Sequence, residues 1–555
     1  PLAQHAVAAQ ARGDAVAVST TTFSPLCSAS FRSIWLASQV SSLGWMIQTV
    51  AIGWLMTQIS TSDVMVALVQ ATSTLPAFIL SVVAGVVADN FSRRMVMIIG
   101  RSLVVAGSAA LSAFIAFGFV DPWIILGVSF LIGCGFALND PAWQASVGDL
   151  VDRHNLPGAI TLINIGFNTV RSVGPAVGGF IVAALGAPFA LVLSTISYMV
   201  PLAAVLRTRW TVRASPLPRQ PVAAAIYDGA RFTFISSEII AAVTRGTLFG
   251  IAGIAILALL PLIVRDHLHG GAIIYGMLMG GFGLGAFLGG ITANRIRQLV
   301  SLEWLIRLSC IVCAACSLTL AFSPSLPLSI AALALGGVGW VNAWSGLGVS
   351  VQLASPRWIV GRTVSIYYAF TYGGIALGSW TWGIVVQNYS LGLAFQMAAG
   401  SLLLVSCVGL VLPLNEDKAS DHDPIDDFQV PTLALGLGPK SGPIVAKIDY
   451  IVPTDNAKSF VNIMRERRLA LSQVGARQWT VERDLLEPAR WTETFRTPTW
   501  TDYLRLNSRL TAAHRDLDRR LRELHLGGEP PKVRLSIEQP RRGMREPEGV
   551  HPLLT

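Results

Sequence analysis

The sequence predicts an all-α polytopic membrane protein with twelve transmembrane helices in two halves of six, followed by a small cytoplasmic α+β domain. Three observations lead to this prediction. The chain has 555 residues, of which 52% are hydrophobic and only 13% charged, and its mean hydropathy is +0.57, whereas charged residues make up about a quarter of ordinary soluble proteins. Long apolar runs recur along residues 31–412, and the composition changes abruptly after Pro413. We therefore expect a multi-pass protein of the plasma (inner) membrane.

Apolar runs long enough to cross a bilayer occur twelve times. A hydrocarbon core of ~30 Å requires about 20 apolar residues in a helix. The predicted spans are 31–58, 64–88, 95–118, 122–143, 157–184, 187–206, 239–264, 272–294, 302–322, 327–350, 359–386 and 390–412. Residues 1–30 lack a basic segment followed by a long apolar core, so we expect a flexible tail without a cleavable signal.

The net charge of +9 is explained by topology. The arginines lie between the apolar runs and not on one amphipathic face, which argues against a nucleic-acid partner. The loops on one side carry Arg93, Arg94, Arg153, Arg207, Arg209, Arg213, Arg219, Arg231, Arg295, Arg297, Arg357 and Arg362, and the opposite loops carry only Arg265. Because cytoplasmic loops retain positive charge, both termini and the central loop 207–238 are predicted to be cytoplasmic.

The central loop divides the helices into two sets, 31–206 and 239–412, that repeat one another. Two glycines of the fifth helix recur in the eleventh at a constant offset of 200, Gly174 as Gly374 and Gly178 as Gly378, while Ser379 follows where the first half has Gly179. Such internal repeats are typical of transporters built from two related halves.

One dense charge cluster interrupts roughly the first 150 apolar residues, the loop from Gly85 to Arg94. It contains Asp89, which the end of a neighbouring helix and Arg93 and Arg94 would stabilise. We expect Gly85, Asp89, Arg93 and Arg94 to form a conformational latch that contacts the start of the eleventh helix in one state only. The alternative is that the arginines are ordinary positive-inside anchors. A weaker copy, 290–297, has asparagine in place of the aspartate.

Three polar residues within the spans are candidates for substrate binding or ion coupling. Arg171 lies about 21 Å into the fifth helix at ~1.5 Å per residue. A guanidinium at that depth must face a polar cavity, a partner or a bound anion. The alternative is a structural contact with a carbonyl or with Asn168. Asp140 is a candidate carrier of coupling protons, although the segment 139–144 also resembles an interfacial helix end.

Small and aromatic residues mark two further features of the spans. Gly174, Pro175, Gly178 and Gly179 predict a bendable helix that packs closely against its neighbours. Aromatic residues concentrate in the tenth and eleventh helices, where they could line a cavity for a bulky aromatic substrate or serve packing. They are Trp340, Trp344, Tyr367, Tyr368, Tyr372, Trp380 and Trp382, and Asn342 lies among them in the sequence.

Nothing in the sequence predicts a metal site or a cofactor. Cys310, Cys313 and Cys316 form overlapping CxxC pairs, but no second ligand cluster lies near them in the sequence. Packing on one helix is therefore the favoured interpretation over metal or redox chemistry.

After a linker at 413–443, residues 444–540 predict a soluble domain, and 541–555 form a tail. Strand patterns cover 444–452, 476–484, 490–496 and 533–538, and helical patterns cover 456–471 and 500–524. The order βαββαβ predicts a ferredoxin-like sandwich.

Residues 31–412 resemble a permease of the major facilitator superfamily. The likeness rests on the loop Gly85 to Arg94 and on the fifth-helix pattern from Gly174 to Gly179, which resembles the motif of exporters in that superfamily. The stretches 141–146, 168–175 and 361–367 resemble the branch that includes the enterobactin exporter. The resemblance implies secondary active export of a small organic molecule, siderophore-like or drug-like, by alternating access. The arginine that many proton-driven antiporters carry in the fourth helix is absent between Trp123 and Asn139.

Residues 444–539 resemble the small antibiotic-biosynthesis monooxygenases, which are ferredoxin-like proteins that often dimerise. The likeness is one of fold and spacing, and fold does not fix function. We expect a regulatory or dimerising role and no enzyme activity. The alternative is a membrane-anchored monooxygenase-like enzyme, or a ligand-sensing protein, that acts through residues 444–540.

Overall fold

A computed structural model describes residues 23–152, 155–208, 222–356, 358–414, 431, 433–526, 529–538 and 551–552. At residues 81–90, 157, 164, 168, 172, 222–225, 294 and 551–552 it describes the backbone only.

Five helices form the first half, after a short 3₁₀ helix at Ser24–Cys27. They are α1 (Ala29–Ile59), α2 (Asp63–Asn90), α3 (Arg93–Ala116), α4 (Pro122–Leu150) and α5 (Leu156–Arg207). Helix α5 is 52 residues long and bends at Gly186, whose φ of 84° suits glycine. The bend lies between the predicted fifth and sixth spans.

Helix α6 (Val222–Ile235) lies within the predicted central loop. The helices that follow are α7 (Ser237–Gly253), α8 (Ala272–Leu299), α9 (Leu302–Phe322), α10 (Leu326–Leu353), α11 (Val360–Asn388) and α12 (Leu391–Val411). Two short helical turns, Ala255–Ala258 and Leu260–Leu262, and a π-helix at Ile263–His267 continue the chain beyond α7.

Nine helical segments of the described chain are long and apolar enough to cross a membrane. One of them, Gly158–Arg207, has 50 residues and contains the bend, so its length is about that of two crossings. Helices α1 and α11 have 31 and 29 residues and are not among the nine. The molecule is a mostly helical multi-pass protein, and the number twelve stays a prediction.

The chain divides into two compact units. The first comprises Pro1–Val222, Arg245–Leu347 and Tyr368–Leu412, and the second comprises Ala223–Thr244, Gly348–Tyr367 and Pro413–Thr555. The first unit contains most of both helical halves. The second contains α6 and the C-terminal domain.

The glycines of the repeated motif lie where helices approach closely. A Cβ on Gly174 would lie 2.7 Å from Met46 Cβ, and one on Gly178 would lie 3.0 Å from Ile47 Cα, both on α1. In the second half, a Cβ on Gly374 or Gly378 would lie 2.5 or 2.4 Å from a carbonyl oxygen of α7. Each half therefore packs its fifth helix against its first, as the repeat predicts. Gly179 instead packs against Gly276 of α8, so α5 of the first half and α8 of the second half are in contact.

The C-terminal domain has the order βαββααβ, which differs from the predicted βαββαβ in having two helices where one was expected. Its elements are β1 (Ile444–Ile451), α13 (Ala457–Val474), β2 (Arg477–Arg483), β3 (Arg490–Thr497), α14 (Trp500–Ser508), α15 (Ala512–Leu524) and β4 (Lys532–Ile537). The sheet is antiparallel in the order β2-β3-β1-β4. Two-residue strands at Leu435–Gly436 and His551–Pro552 pair separately.

The prediction of one helix at 500–524 was wrong, because the segment forms two separate helices, α14 and α15. Thr511 and His514 form a capping box that starts α15, and such a box satisfies the free N–H groups of a new helix. The signal was therefore in the sequence, but the apolar spacing continued across it.

Candidate functional site

Arg101 and Asp140 are two charged side chains inside the first half that interact electrostatically. Arg101 lies on α3, is 5% exposed, and donates from Nη1 to Ser41 Oγ of α1 at 2.9 Å. Its charge interacts with that of Asp140 on α4. The two helices approach closely because Gly100 faces Gly135, whose carbonyl oxygen would lie 2.8 Å from a Cβ on Gly100. The pair therefore follows from glycines that bring adjacent helices together.

In the structure Asp140 lies inside a helix and not at a helix end. The sequence predicted that the fourth span ends at 143, but α4 continues to Leu150, so that interpretation was wrong. The polar run around Pro141 resembles a terminus, although the helix passes through it. The side chain of Asp140 keeps access to solvent although protein atoms surround it. It accepts a hydrogen bond from Asn139 Nδ2 at 3.0 Å.

Arg171 lies on α5 and is half-buried. Its charge interacts with the hydroxyl of Tyr372 on α11, which belongs to the other half, and Tyr372 also interacts with Asp140. We call Arg101, Asp140 and Arg171 the charged cluster. The side chain of Asn168, the third predicted residue, lies outside the described residues.

Four of the predicted aromatic residues lie together, and we call them the aromatic cluster. Trp340 stacks on Trp344 with ring centroids 6.2 Å apart, and Trp344 lies 6.0 Å from Tyr368 and 5.6 Å from Tyr372. Since Tyr372 also interacts with Arg171 and Asp140, the aromatic cluster of one half meets the charged cluster of the other.

The remaining predicted residues of α10 and α11 lie outside this cluster. Trp382 donates to the carbonyl of Ile251 at 2.7 Å, Trp380 is exposed, and Tyr367 is buried. Asn342 donates to the carbonyl of Val338 at 2.9 Å within its own helix.

A pocket in the first half lies near the charged cluster. Its free space, including its open side, is about 380 Å³. Its walls combine aliphatic residues with polar and aromatic ones, the latter being Trp45, Gln48, Thr49, Ser73, Ser129 and Phe136. Phe136 packs edge-on against Tyr198 at 5.7 Å, and the Tyr198 hydroxyl interacts with Arg101. Tyr198 therefore connects the pocket to the charged cluster.

Two polar contacts join the halves at the end of the bundle where α2 begins. Arg265, which follows α7, donates to Asp63 of α2 at 2.7 Å. Ser62 donates to Gln387 of α11 at 2.8 Å. This end of the bundle is thus bridged between the halves.

The predicted latch is described in full only at its arginines, because the structure describes the backbone alone at residues 81–90. Arg93 donates to Asp149 Oδ2 at 2.6 Å and to the carbonyl of Ala145 at 2.9 Å. Arg94 donates to three carbonyls near the end of α5, those of Val205, Leu206 and Thr208. Sequence reasoning missed Asp149 as the partner of Arg93.

Sequence reasoning also missed two buried arginines. Arg101 is one, and Arg245 of α7 is the other: it is fully buried and donates from Nη1 to Glu303 Oε2 at 2.5 Å. Glu303 also accepts from Arg307 Nε at 2.6 Å. The available signal was a single arginine inside an apolar run, which is costly and therefore indicates a partner.

The three central cysteines are packed inside the second half. Cys310, Cys313 and Cys316 are buried, and Cys313 Sγ lies 3.6 Å from the carbonyl oxygen of Gly336. Within the described chain, no group of three potential ligands is placed to hold a metal ion.

The C-terminal domain holds a buried ionic network. Glu493 is 0% exposed and accepts from Arg467 Nε at 2.8 Å, from Tyr450 Oη at 3.0 Å and from Trp479 Nε1 at 2.7 Å. Arg467 also pairs with Asp518. Burial and the negative charge of Glu493 raise the pKa of Tyr450, so its hydroxyl stays protonated as a donor. Three donors engage this carboxylate, which gives it a structural role in the domain core.

Comparison with known proteins identifies related sequences. A profile of the family described as transmembrane secretion effector matches residues 20–543. The chain is 26% identical over 394 residues to the enterobactin exporter EntS of Escherichia coli, covering 70% of this chain and 92% of that protein. It is 23% identical over 394 residues to the multidrug efflux pump Tap of Mycolicibacterium fortuitum, covering 68% of this chain and 95% of that protein.

Solved structures share the fold. The D-xylose–proton symporter matches with a TM-score of 0.56 at 15% identity, over 70% of this chain and 99% of that one. A POT family transporter in complex with 5-aminolevulinic acid matches with a TM-score of 0.55 at 12% identity, over 69% and 95%. At these identities the likeness shows the fold alone.

Proposed function

Because the chain belongs to the family of transmembrane secretion effectors, within the major facilitator superfamily, and is therefore a multi-pass membrane transporter, we propose that it exports a small organic molecule by alternating access. Two related proteins are named for the export of enterobactin and for multidrug efflux. Their names support a cargo of the siderophore or drug class.

The observation that carries the proposal is the meeting of the charged and aromatic clusters at Tyr372. In transporters built from two repeats, the cargo binds where the repeats face one another. A guanidinium attracts an anionic group, and stacked rings bind a planar apolar one. In our proposal Arg171, with Asn168 beside it, binds the polar part of the cargo and the aromatic cluster binds its rings.

Asp140 has the role of the coupling carboxylate in this proposal. It is the acid of the charged cluster, keeps access to solvent and interacts electrostatically with Arg101 and Tyr372. A carboxylate in such a position can exchange a proton with water while the cargo binds or leaves. Protons would then drive export.

The loop Gly85 to Arg94 serves as the latch that stabilises one end of the bundle. The contact of Arg93 with Asp149 supports a role in fixing α3 against α4. Asp89, one turn of sequence earlier, is the group that we expect to change partner between states. Twelve spans and cytoplasmic termini complete the proposed topology.

The experiment that tests the function compares the metabolites released by cells with and without the gene. The expected result is a compound that accumulates inside cells lacking the gene and moves out of proteoliposomes containing the protein. Identical release from both strains over many growth conditions, together with no flux of the candidate compounds in vesicles, would contradict export.

The comparisons do not favour the alternative of a membrane-anchored enzyme. The relatives named above are transporters, and their matches cover nearly their whole length. In the C-terminal domain, the buried carboxylate of Glu493 is already engaged by three donors, which supports a structural role for it.

A further inference from the structure

The second unit contains a polar contact between the C-terminal domain and helix α6. Arg231 of α6 donates from Nη2 to the carbonyl of Ala476 at 2.7 Å. Tyr227, one turn earlier on α6, lies under the guanidinium of Arg477 at 5.3 Å. Residues 227 and 231 are neighbours on one helix face, so this face of α6 lies against the start of β2.

The turn between α13 and β2 exposes backbone carbonyl groups that accept hydrogen bonds. Gly475 has a φ of 121°, a conformation that favours glycine, and it ends α13. The carbonyls on either side then accept from two arginines: Ala476 from Arg231, and Val474 from Arg509 at 3.4 Å. This short turn is therefore hydrogen-bonded both to α6, through Arg231, and to the end of α14, through Arg509.

Arg509 is the centre of a second contact, with the segment that joins α10 to α11. Its guanidinium carbon lies 3.8 Å from the ring centroid of Trp358, and its Nη1 lies 3.8 Å from Asp228 of α6. Trp358 packs edge-on against Phe232 of α6 at 6.0 Å. The domain thus touches two connections of the second half, α6 and the residues before α11. We call Asp228, Arg231, Trp358, Ala476 and Arg509 the docking contact.

The charge of Arg509 is only partly compensated in the docking contact. Burial lowers the pKa of Arg509 to about 10, while Asp228 and Asp502 attract its charge and Arg362 and Arg505 repel it. A guanidinium that has lost water, and whose attraction to carboxylates is offset by like charges, stabilises its contact weakly. Such a contact suits an interaction that forms and breaks better than a permanent interface.

We propose that the C-terminal domain is a releasable clamp on the two connections α6 and 358–362, and that it restrains the transport cycle while it is bound. Helix α11 begins at Val360, within this contact, and carries Tyr368, Tyr372 and Gln387 further along. Restraint at the start of a helix restrains its whole length, because helices move as rigid elements. Release of the domain is expected to let the end bridged by Arg265 and Asp63 open more often. This regulation goes beyond the proposed cargo and does not depend on it.

The test breaks the docking contact by charge reversal in the full-length chain. The disrupting variants are Arg509→Asp and Asp228→Arg, and the double variant exchanges the two charges. The matched control is Arg519→Asp, which reverses an exposed arginine of the same domain that pairs with Asp516 inside α15. Arg509→Ala is a milder variant in case charge reversal prevents folding, which gel filtration would reveal.

Two measurements follow each variant, and neither needs the cargo. Hydrogen–deuterium exchange of residues 223–235 reports whether α6 is released. Labelling of Ala67→Cys with a maleimide reports how often the bridged end opens, because Ala67 is buried where α2 packs against Gly383 of α11. The background carries serine at Cys27, Cys134 and Cys407, because Cys27 and Cys407 are exposed and Cys134 is partly so.

We expect both disrupting variants to speed exchange in α6 and to raise the labelling rate at least threefold. The double variant should return both rates to within twofold of the parent, and Arg519→Asp should leave them unchanged. Unchanged exchange in α6 would overturn the docking contact. Faster exchange with unchanged or slower labelling would overturn the clamp. Failure to find an exported cargo would leave these outcomes unaffected.

Discussion

The two six-helix halves share their packing but differ in the residues that this packing places at the centre. In the first half, a Cβ on Gly135 of α4 would lie 2.7 Å from the carbonyl oxygen of Gly100 on α3. In the second half, one on Gly339 of α10 would lie 2.9 Å from that of Ser309 on α9. These two glycine contacts therefore align the halves residue by residue.

The alignment pairs each residue of the charged cluster with a neutral residue of the second half. Asp140 follows Gly135 by five positions, and Trp344 follows Gly339 by five. In the same way Arg101 aligns with Cys310, and Arg171 aligns with Thr371 at the offset of 200. The first half thus supplies charge and the second supplies rings and small groups. We infer that coupling and recognition of charge belong to the first half, and recognition of rings to the second.

The largest effect is expected from Arg171→Ala. This variant removes the charge that interacts with Tyr372 of the other half. A hydrogen bond from a charged group such as this guanidinium to the cargo contributes about 1.5–3 kcal/mol, so we expect transport to fall by roughly 10- to 150-fold. The measurement is initial efflux of the identified compound from proteoliposomes.

Arg32→Ala is the matched control, since Arg32 is exposed and donates only to the carbonyl of Leu26 among its described contacts. Arg171→Lys should recover part of the flux. Lysine keeps the positive charge but lacks the planar set of N–H donors of a guanidinium. Equal flux in Arg171→Ala and in the parent would show that Arg171 is not part of the site. It would also contradict the inference that the first half recognises charge.

The second effect concerns the driving force and is expected from Asp140→Asn. Asparagine keeps the size of the side chain and cannot release a proton, so transport should no longer respond to a pH gradient. We expect gradient-driven efflux to fall by about tenfold, a judgement based on the role of intramembrane carboxylates in proton relays. Cargo exchange without a gradient should persist. The measurement is efflux from proteoliposomes with and without an imposed gradient.

Asp121→Asn is a closely matched control on the same helix. Asp121 caps the start of α4 by accepting from the N–H groups of Trp123 and Ile124, and asparagine caps a helix about as well as aspartate. If Asp140→Asn kept its full response to the gradient, coupling would have to lie elsewhere, and the charged cluster would serve binding alone.

Local patterns in the sequence predicted the long apolar helices and the four strands of the C-terminal domain, because both depend on neighbouring residues. The structure has these helices and strands, while the number of spans and the depth of Arg171 stay predictions. The pairs Arg101–Asp140 and Arg245–Glu303 could not be predicted, because they join residues 39 and 58 positions apart. The interior position of Asp140 was missed because a polar run beside a proline is typical of a helix end. Docking of the domain on α6 depends on a fold of the chain that no local pattern encodes.

The smallest of the three effects is expected from Trp344→Ala, which tests the aromatic side of the comparison. Trp344 lies at the centre of the aromatic cluster, within 6.2 Å of three other rings. A ring contact contributes about 0.5–1.5 kcal/mol beyond its buried area, so the KM for the cargo should rise roughly two- to tenfold while the maximal rate changes less.

Trp344→Phe keeps a ring and should recover most of the affinity. Trp304→Ala, which removes an exposed tryptophan of α9, should leave the KM unchanged. A fall in the maximal rate with no change in KM would show that Trp344 acts in the conformational change, and it would reassign the second half from recognition to movement.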